Sequence, residues 1–172
     1  VDAIGDRALP VMRKDFLVSP VQVLESKAAG ASGILLIVAM LEGKHLTNML
    51  DCALEHGLFV LLEAFSEDDL DRATQLLERP VYLDHARRAN LLVGINTRDL
   101  RSLAVDSTRL SRLSALMPDA VTGVAESGLH TAEDALKAVG WGYQMVLVGT
   151  ALMRAKRPEL LIAEMLASGR SV

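Results

Sequence analysis

The chain has 172 residues, is 51% hydrophobic and 23% charged, and carries a net charge of −4 with a pI near 5.6. That length supports one sizeable core rather than two typical domains, and the composition excludes a disordered chain. The acidic balance and the 3% aromatic content argue against a nucleic-acid surface, no apolar run reaches membrane-spanning length, and the single cysteine, Cys52, excludes an internal disulfide and fits a reducing compartment.

The predicted elements alternate along the chain. Residues 1–8 read as the end of a helix, without the long apolar core of a signal peptide, and with no initiating Met the chain is expected to be processed or incomplete. "LPVMRK" (9–14) is the first predicted strand. Ser19-Pro20, with Gln22 placed for a capping box, starts a helix. "GILLIV" (33–38) is short, apolar and β-branched, as expected of a strand buried on both faces. The stripe Leu46, Met49, Leu50 and Ala53 is core packing at helical spacing. "LFVLLE" (58–63), "LLVGIN" (91–96), "VTGVAES" (121–127) and "MVLVGT" (145–150) repeat the strand pattern. Ser66 and Thr131 each precede an acid three residues on, which marks two further helix starts. Asp106 and Pro158 are expected to begin two more, and Gly30, Gly57 and Gly140 to end helices. The stretch "LLERPVYLDHARRANLLVGIN" is longer than a usual helix-to-strand connection.

This order is β-α repeated six times, which implies a parallel sheet covered by helices. An open doubly wound sheet and a (β/α)₈ barrel both fit. A whole barrel takes roughly 250 residues, or about 31 per unit. The chain is therefore expected to hold about six βα units of a barrel as one partial domain over 1–172, with about two units absent.

Most of these strands end in distinctive residues: Arg13-Lys14-Asp15, Glu63, Asn96-Thr97-Arg98-Asp99, Glu126-Ser127-Gly128 and Gly149-Thr150. The carboxyl ends of parallel strands share one edge, where binding and catalysis cluster. Lys14, between apolar neighbours, and Glu63, closing an apolar strand, form either an acid–base pair or a rim salt bridge. Alternation along the strand turns Arg13 and Asp15 away from Lys14 as supports. Gly128 and Gly149-Thr150 suit an anion site at the last two strand ends, or simply make tight turns. His45, Cys52 and His56 fall near one helix face and are read as its polar outer surface, not as metal ligands. His130 is read as a loop residue before the Thr131 cap, and Trp141 as packing at a helix–strand junction.

The motifs "LPVMRKDF", "ILLIV", "LLEAFSEDDL", "GINTRDL", "VAESGLHTAED" and "VLVGTALMR" together resemble the indole-3-glycerol-phosphate synthase family from about Leu9 to Met165. The resemblance implies a (β/α)₈ TIM barrel of which strands 3 to 8 are present. It implies a cytoplasmic carboxy-lyase of tryptophan biosynthesis. Such an enzyme closes the ring of 1-(2-carboxyphenylamino)-1-deoxyribulose 5-phosphate, releasing CO₂ and water, with no metal or organic cofactor. It assigns Lys14, Glu63 and Asn96 to catalysis, with Lys14 as general acid. Phe16, Arg98, Leu100, Glu126 and Ser127 are assigned to substrate binding, and Gly128, Gly149 and Thr150 to the phosphate.

The family's first two units carry a Glu, a Lys that takes part in catalysis and a phosphate-contacting loop, none of which this sequence contains. The chain is thus expected to be a fragment that does not turn over alone, with open barrel edges that invite self-association. Its expected partner is a phosphorylated small molecule, not nucleic acid or a membrane. Two other readings are another phosphate-binding barrel, such as a sugar-phosphate isomerase, and a non-catalytic fragment that binds a phosphate ligand.

Overall fold

The computed structural model describes residues 9–100 and 102–170. The expected helix end at 1–8 lies outside them. The strands are β1 (Met12–Arg13), β2 (Gly33–Ile37), β3 (Phe59–Ala64), β4 (Leu91–Asn96), β5 (Thr122–Glu126) and β6 (Met145–Leu147). They form a single parallel sheet whose spatial order is the chain order, β1 to β6. A doubly wound sheet reverses its strand order at a switch point. This sheet has no reversal, so the barrel-type topology is the one adopted.

The helices are α1 (Pro20–Ala28), α2 (Gly43–Glu55), α3 (Glu67–Leu77), α4 (Pro80–Arg87), α5 (Arg109–Leu113), α6 (Ala132–Gly140), α7 (Thr150–Arg154) and α8 (Pro158–Gly169). Alternation along the strands splits their side chains between two layers. Ile34, Leu36, Val60, Leu62, Leu91, Val93 and Ile95 pack with helix residues such as Val23, Met49, Leu50, Leu70 and Tyr82 in the main core. Leu35, Ile37, Leu61, Leu92 and Val124 form a smaller inner cluster between strands. Both faces of the central strands are therefore covered, which is why they read as continuous apolar runs.

Three capping boxes form as their sequences require. Ser19 pairs with Gln22, Ser66 with Asp69 and Thr131 with Asp134, each satisfying orphan amides at a helix start. Gly30 and Gly57 take positive φ, at 84° and 67°, just past α1 and α2. The third expected stop is corrected. Gly140 is the last helical residue of α6, and Gly142, at φ 93°, makes the turn. Asp106 does not open a helix directly. Its carboxylate accepts from the Thr108 amide and hydroxyl, and α5 begins at Arg109.

The long connection before β4 contains an extra helix, α4, with Pro80 in its first turn. Its Tyr82 is fully buried. The phenol donates to Asp51 Oδ1 of α2 at 2.5 Å and accepts from Arg79 Nη1 at 2.9 Å. Burial, and then the Asp51 hydrogen bond, push the Tyr82 hydroxyl well above its ordinary pKa, so it stays a donor. Tyr82→Phe removes that donor and leaves Asp51 facing apolar carbon. It is expected to cost about 1 kcal/mol, read from the urea midpoint at constant m-value.

Candidate active site

Four polar side chains meet at the carboxyl edge of the sheet. Lys14 follows the edge strand β1, and its Nζ lies 2.6 Å from Glu63 Oε2 and 3.5 Å from Glu126 Oε2. Asn96 Nδ2 donates to the same Glu63 oxygen at 3.0 Å, and Asn96 Oδ1 accepts from the Arg98 amide at 2.9 Å. Glu63, one residue before the end of β3, and Asn96, at the end of β4, lie on the inner face, and Glu126 ends β5 beside Asn96. Glu63, Asn96 and Glu126 are buried, whereas the Lys14 side chain keeps 41% of its surface exposed. The ammonium therefore faces a solvent-accessible space from a buried acidic floor.

The two carboxylates differ. Glu63 Oε2 receives two hydrogen bonds, one from a cation, which is a strong arrangement for a carboxylate. Neither Glu126 oxygen has a hydrogen-bond partner. Burial, reinforced by the neighbouring Glu63 charge and only partly offset by Lys14, holds the Glu126 carboxyl well above the ordinary carboxylate range. The pair thus sets a hydrogen-bonded carboxylate next to a carboxyl that favours its proton.

Above this floor opens a cavity of about 290 Å³. Lys14, Phe16, Glu63, Asn96, Arg98, Leu100 and Ser127 line it, with Leu35 and Ile37 beneath. The β4–α5 loop folds back as a small hairpin, bridged antiparallel at Arg98 and Val105. Leu103 sits at its tip with φ 59°, and its carbonyl accepts from Arg98 Nη1 at 3.2 Å. One side of the cavity is therefore an apolar wall of Phe16, Leu100 and Leu103, and the other is polar. Phe16 is 58% exposed, so this wall is open to a planar ligand.

Arg13 behaves as a support: its guanidinium donates to Gln22 O and Ser26 Oγ of α1. Asp15 accepts from Arg13 and from the Phe16 amide, and the Arg13 hydrogen bond, then the Phe16 amide, hold its carboxyl below the usual range. Asp15 is thus a loop support, as expected, and it also lines the cavity. Gly128, Gly149 and Thr150 do not line this cavity. Gly128 turns at φ 72° directly after Ser127 at φ 65°, and Gly149 precedes α7, whose first residue is Thr150. Sequence reasoning missed Leu103, because a single leucine in a polar loop carries no periodic signal. It also missed Gly94, discussed below.

His45 donates to the Val18 carbonyl, 27 residues away, and His56 to the Cys52 carbonyl one turn back in α2, each at 2.8 Å. No helix among the described residues is long and apolar enough to cross a membrane.

A parallel βα sheet in barrel order, with a lysine and two carboxyl groups at its carboxyl edge, defines a member of the (β/α)₈-barrel class. Solved structures share that fold. 3-Hexulose-6-phosphate synthase from Salmonella typhimurium superposes with a TM-score of 0.69 at 16% identity, over 94% of this chain and 73% of that one. Orotidine 5'-phosphate decarboxylase from Pyrococcus horikoshii OT3 gives 0.65 at 13% identity, over 99% and 79%. Sequence comparison is more specific. The family model for indole-3-glycerol phosphate synthase matches residues 5–165. The indole-3-glycerol phosphate synthase of Parafrankia sp. (strain EAN1pec) is 39% identical over 161 residues, which is 94% of this chain and 56% of the relative. That of Nocardioides sp. (strain ATCC BAA-499 / JS614) is 40% identical over 156 residues, covering 91% and 55%. The chain belongs to the indole-3-glycerol phosphate synthase family. It spans about half the length of these curated relatives.

Proposed function

We propose that the chain carries the lysine–carboxylate half of an indole-3-glycerol phosphate synthase site. The observation that carries this reading is Lys14 Nζ held between Glu63 and Glu126 at the mouth of the cavity. The substrate is 1-(2-carboxyphenylamino)-1-deoxyribulose 5-phosphate, and the products are indole-3-glycerol phosphate, CO₂ and water.

In ring closure, the ring carbon bearing the carboxylate attacks the ribulose carbonyl, and negative charge develops on its oxygen. Lys14 donates a proton there. Breaking the bond to the carboxylate then releases CO₂ and returns its electron pair to the ring, restoring aromaticity. The new hydroxyl leaves as water after protonation, and a base takes the neighbouring proton of the new ring. Glu63 is the carboxylate assigned to that dehydration. Asn96 fixes it through Nδ2, and Arg98 steadies the substrate. Phe16 and Leu100 receive the anthranilate ring. Ser127 binds beside them, and Gly128, Gly149 and Thr150 hold the phosphate. That anchor supplies binding energy remote from the reacting atoms. The one-sided strands β1 and β6 favour pairing with further chain, including self-association.

Titrating this chain with the reduced substrate analogue, whose ribulose carbonyl is an alcohol, tests the reading. Anthranilate fluorescence is expected to change saturably, and Arg98→Ala is expected to weaken binding by about tenfold or more. A linear response with no saturation would contradict it.

A further inference from the structure

Gly94 occupies the middle of β4, in register with Glu63 on β3 and Val124 on β5. Glycine weakens a strand interior and needs a local reason to be there. Backbone conformation does not supply one, because Gly94 is not among the glycines with positive φ. Close approach does. A Cβ on Gly94 would overlap Glu126 Oε1 and lie 3.0 Å from Glu126 Cδ. It would also come to 3.1 Å from Leu61 Cδ1. Glu126 ends β5 two residues beyond Val124, so its side chain runs back along the inner face into the space that a side chain on Gly94 would fill.

We propose that Gly94 is a positioning residue: its missing Cβ is the recess that seats the Glu126 carboxyl beneath Lys14 and beside Glu63. The seat is largely steric. Glu126 is fully buried, neither oxygen has a hydrogen-bond partner, and among the described residues its ion-pair contact is Lys14 at 3.5 Å. That one contact spans 3.5 Å, so the recess at Gly94, acting with the Lys14 charge, sets how deep the carboxyl sits. The charged groups that face it are Glu63 from β3 and Lys14 from the end of β1. Seating the carboxyl this deep keeps it from water and sustains its raised proton affinity. The catalytic relevance of the recess rests on the function proposed above, whereas its existence does not.

Both tests use the 172-residue chain without turnover. Thermal unfolding of Gly94→Ala is expected to show a midpoint lower by about 3 °C or more. In a Glu126→Ala background, the same change is expected to cost less than half as much. An equal loss in both backgrounds would overturn the proposal, assigning the strain to Leu61 or the backbone. If Gly94→Ala does not fold, a folded Gly94→Ala/Glu126→Ala variant supports the proposal and an unfolded one overturns it. The second readout is the ¹³C titration of the Glu126 carboxyl. Its midpoint is expected to fall toward the ordinary carboxylate range in Gly94→Ala, and an unchanged midpoint contradicts the seat. Failure of analogue binding or of catalysis would leave both of these results standing.

Discussion

In the chain completed with the N-terminal βα units of a curated relative, replacing Lys14 with methionine is expected to slow the proposed reaction about 10²–10⁴-fold, the range for loss of a positioned general acid. Methionine keeps the unbranched stem and removes only the charge. Glu63 Oε2 then retains a single hydrogen bond, from Asn96, and Glu126 loses the cation nearest to it. Two carboxyl groups are left facing each other on a buried floor. The stability cost is expected to be about 1 kcal/mol, toward the low end for a charge-assisted bond. The 41% exposure of the lysine side chain lets solvent screen what it contributes. That cost should shrink in a Glu126→Gln background, because the second carboxyl group beside Glu63 is then absent. Urea midpoints of the parent, the two single variants and the double variant at pH 7 read the coupling directly. Equal costs in both backgrounds would mean that Lys14 and Glu126 do not interact.

Glu126→Gln is expected to change how stability depends on pH. The Glu126 carboxyl has a raised proton affinity in the folded chain, from burial and then from the Glu63 charge. A group of that kind contributes stability that is fully present below its unfolded pKa. The contribution is lost as pH rises through the folded value. The parent therefore loses stability on going from the ordinary carboxylate range upward, and the glutamine variant lacks that loss. Above the ordinary carboxylate range the variant is expected to be more stable than the parent, because its amide keeps the shape and carries no charge beside Glu63. The difference should narrow on acidification. Unfolding midpoints across pH 4–9, roughly the span between the ordinary carboxylate and lysine ranges, provide the measurement. Parallel curves for parent and variant would show that Glu126 does not carry this burden.

The sequence signals that survived folding are those in which one residue type answers one local demand. Ser19, Ser66 and Thr131 cap helices because a hydroxyl three residues before Gln or Asp satisfies orphan amides, whatever surrounds it. "GILLI" and "LLVGIN" read as fully buried strands because helices cover one face and neighbouring strands the other. Convergence of Lys14, Glu63, Asn96 and Glu126 was legible from topology alone, since parallel strands bring their carboxyl ends to one edge.

What was not legible depends on distant partners. β1 is two residues long, shorter than "LPVMRK" suggests, because among the described residues it is an edge strand paired with β2 alone. Pro10 has no amide to offer, and Val11 bonds Ser32, just before β2, through its amide and carbonyl, its carbonyl also accepting from Gly33. Helix α4 hides in a connection because it is short and buries only Tyr82 and Ala86 among its described residues, and the Tyr82 partner Asp51 lies 31 residues away. Gly94 reads as an ordinary weak point until the Glu126 side chain is seen lying in its place. The Asp15 carboxylate serves its own loop through Arg13 and Phe16 and still borders the cavity, a double placement that strand alternation does not foretell.

The proposed reaction turns on Lys14, set between two unlike carboxyl groups. The most direct test joins this chain to the N-terminal βα units of a curated relative and supplies 1-(2-carboxyphenylamino)-1-deoxyribulose 5-phosphate. Indole fluorescence and released CO₂ are followed together. The account predicts indole-3-glycerol phosphate and CO₂ in equal amounts, with Lys14→Met slower by about 10²-fold or more. Turnover that is unaffected by Lys14→Met would contradict it.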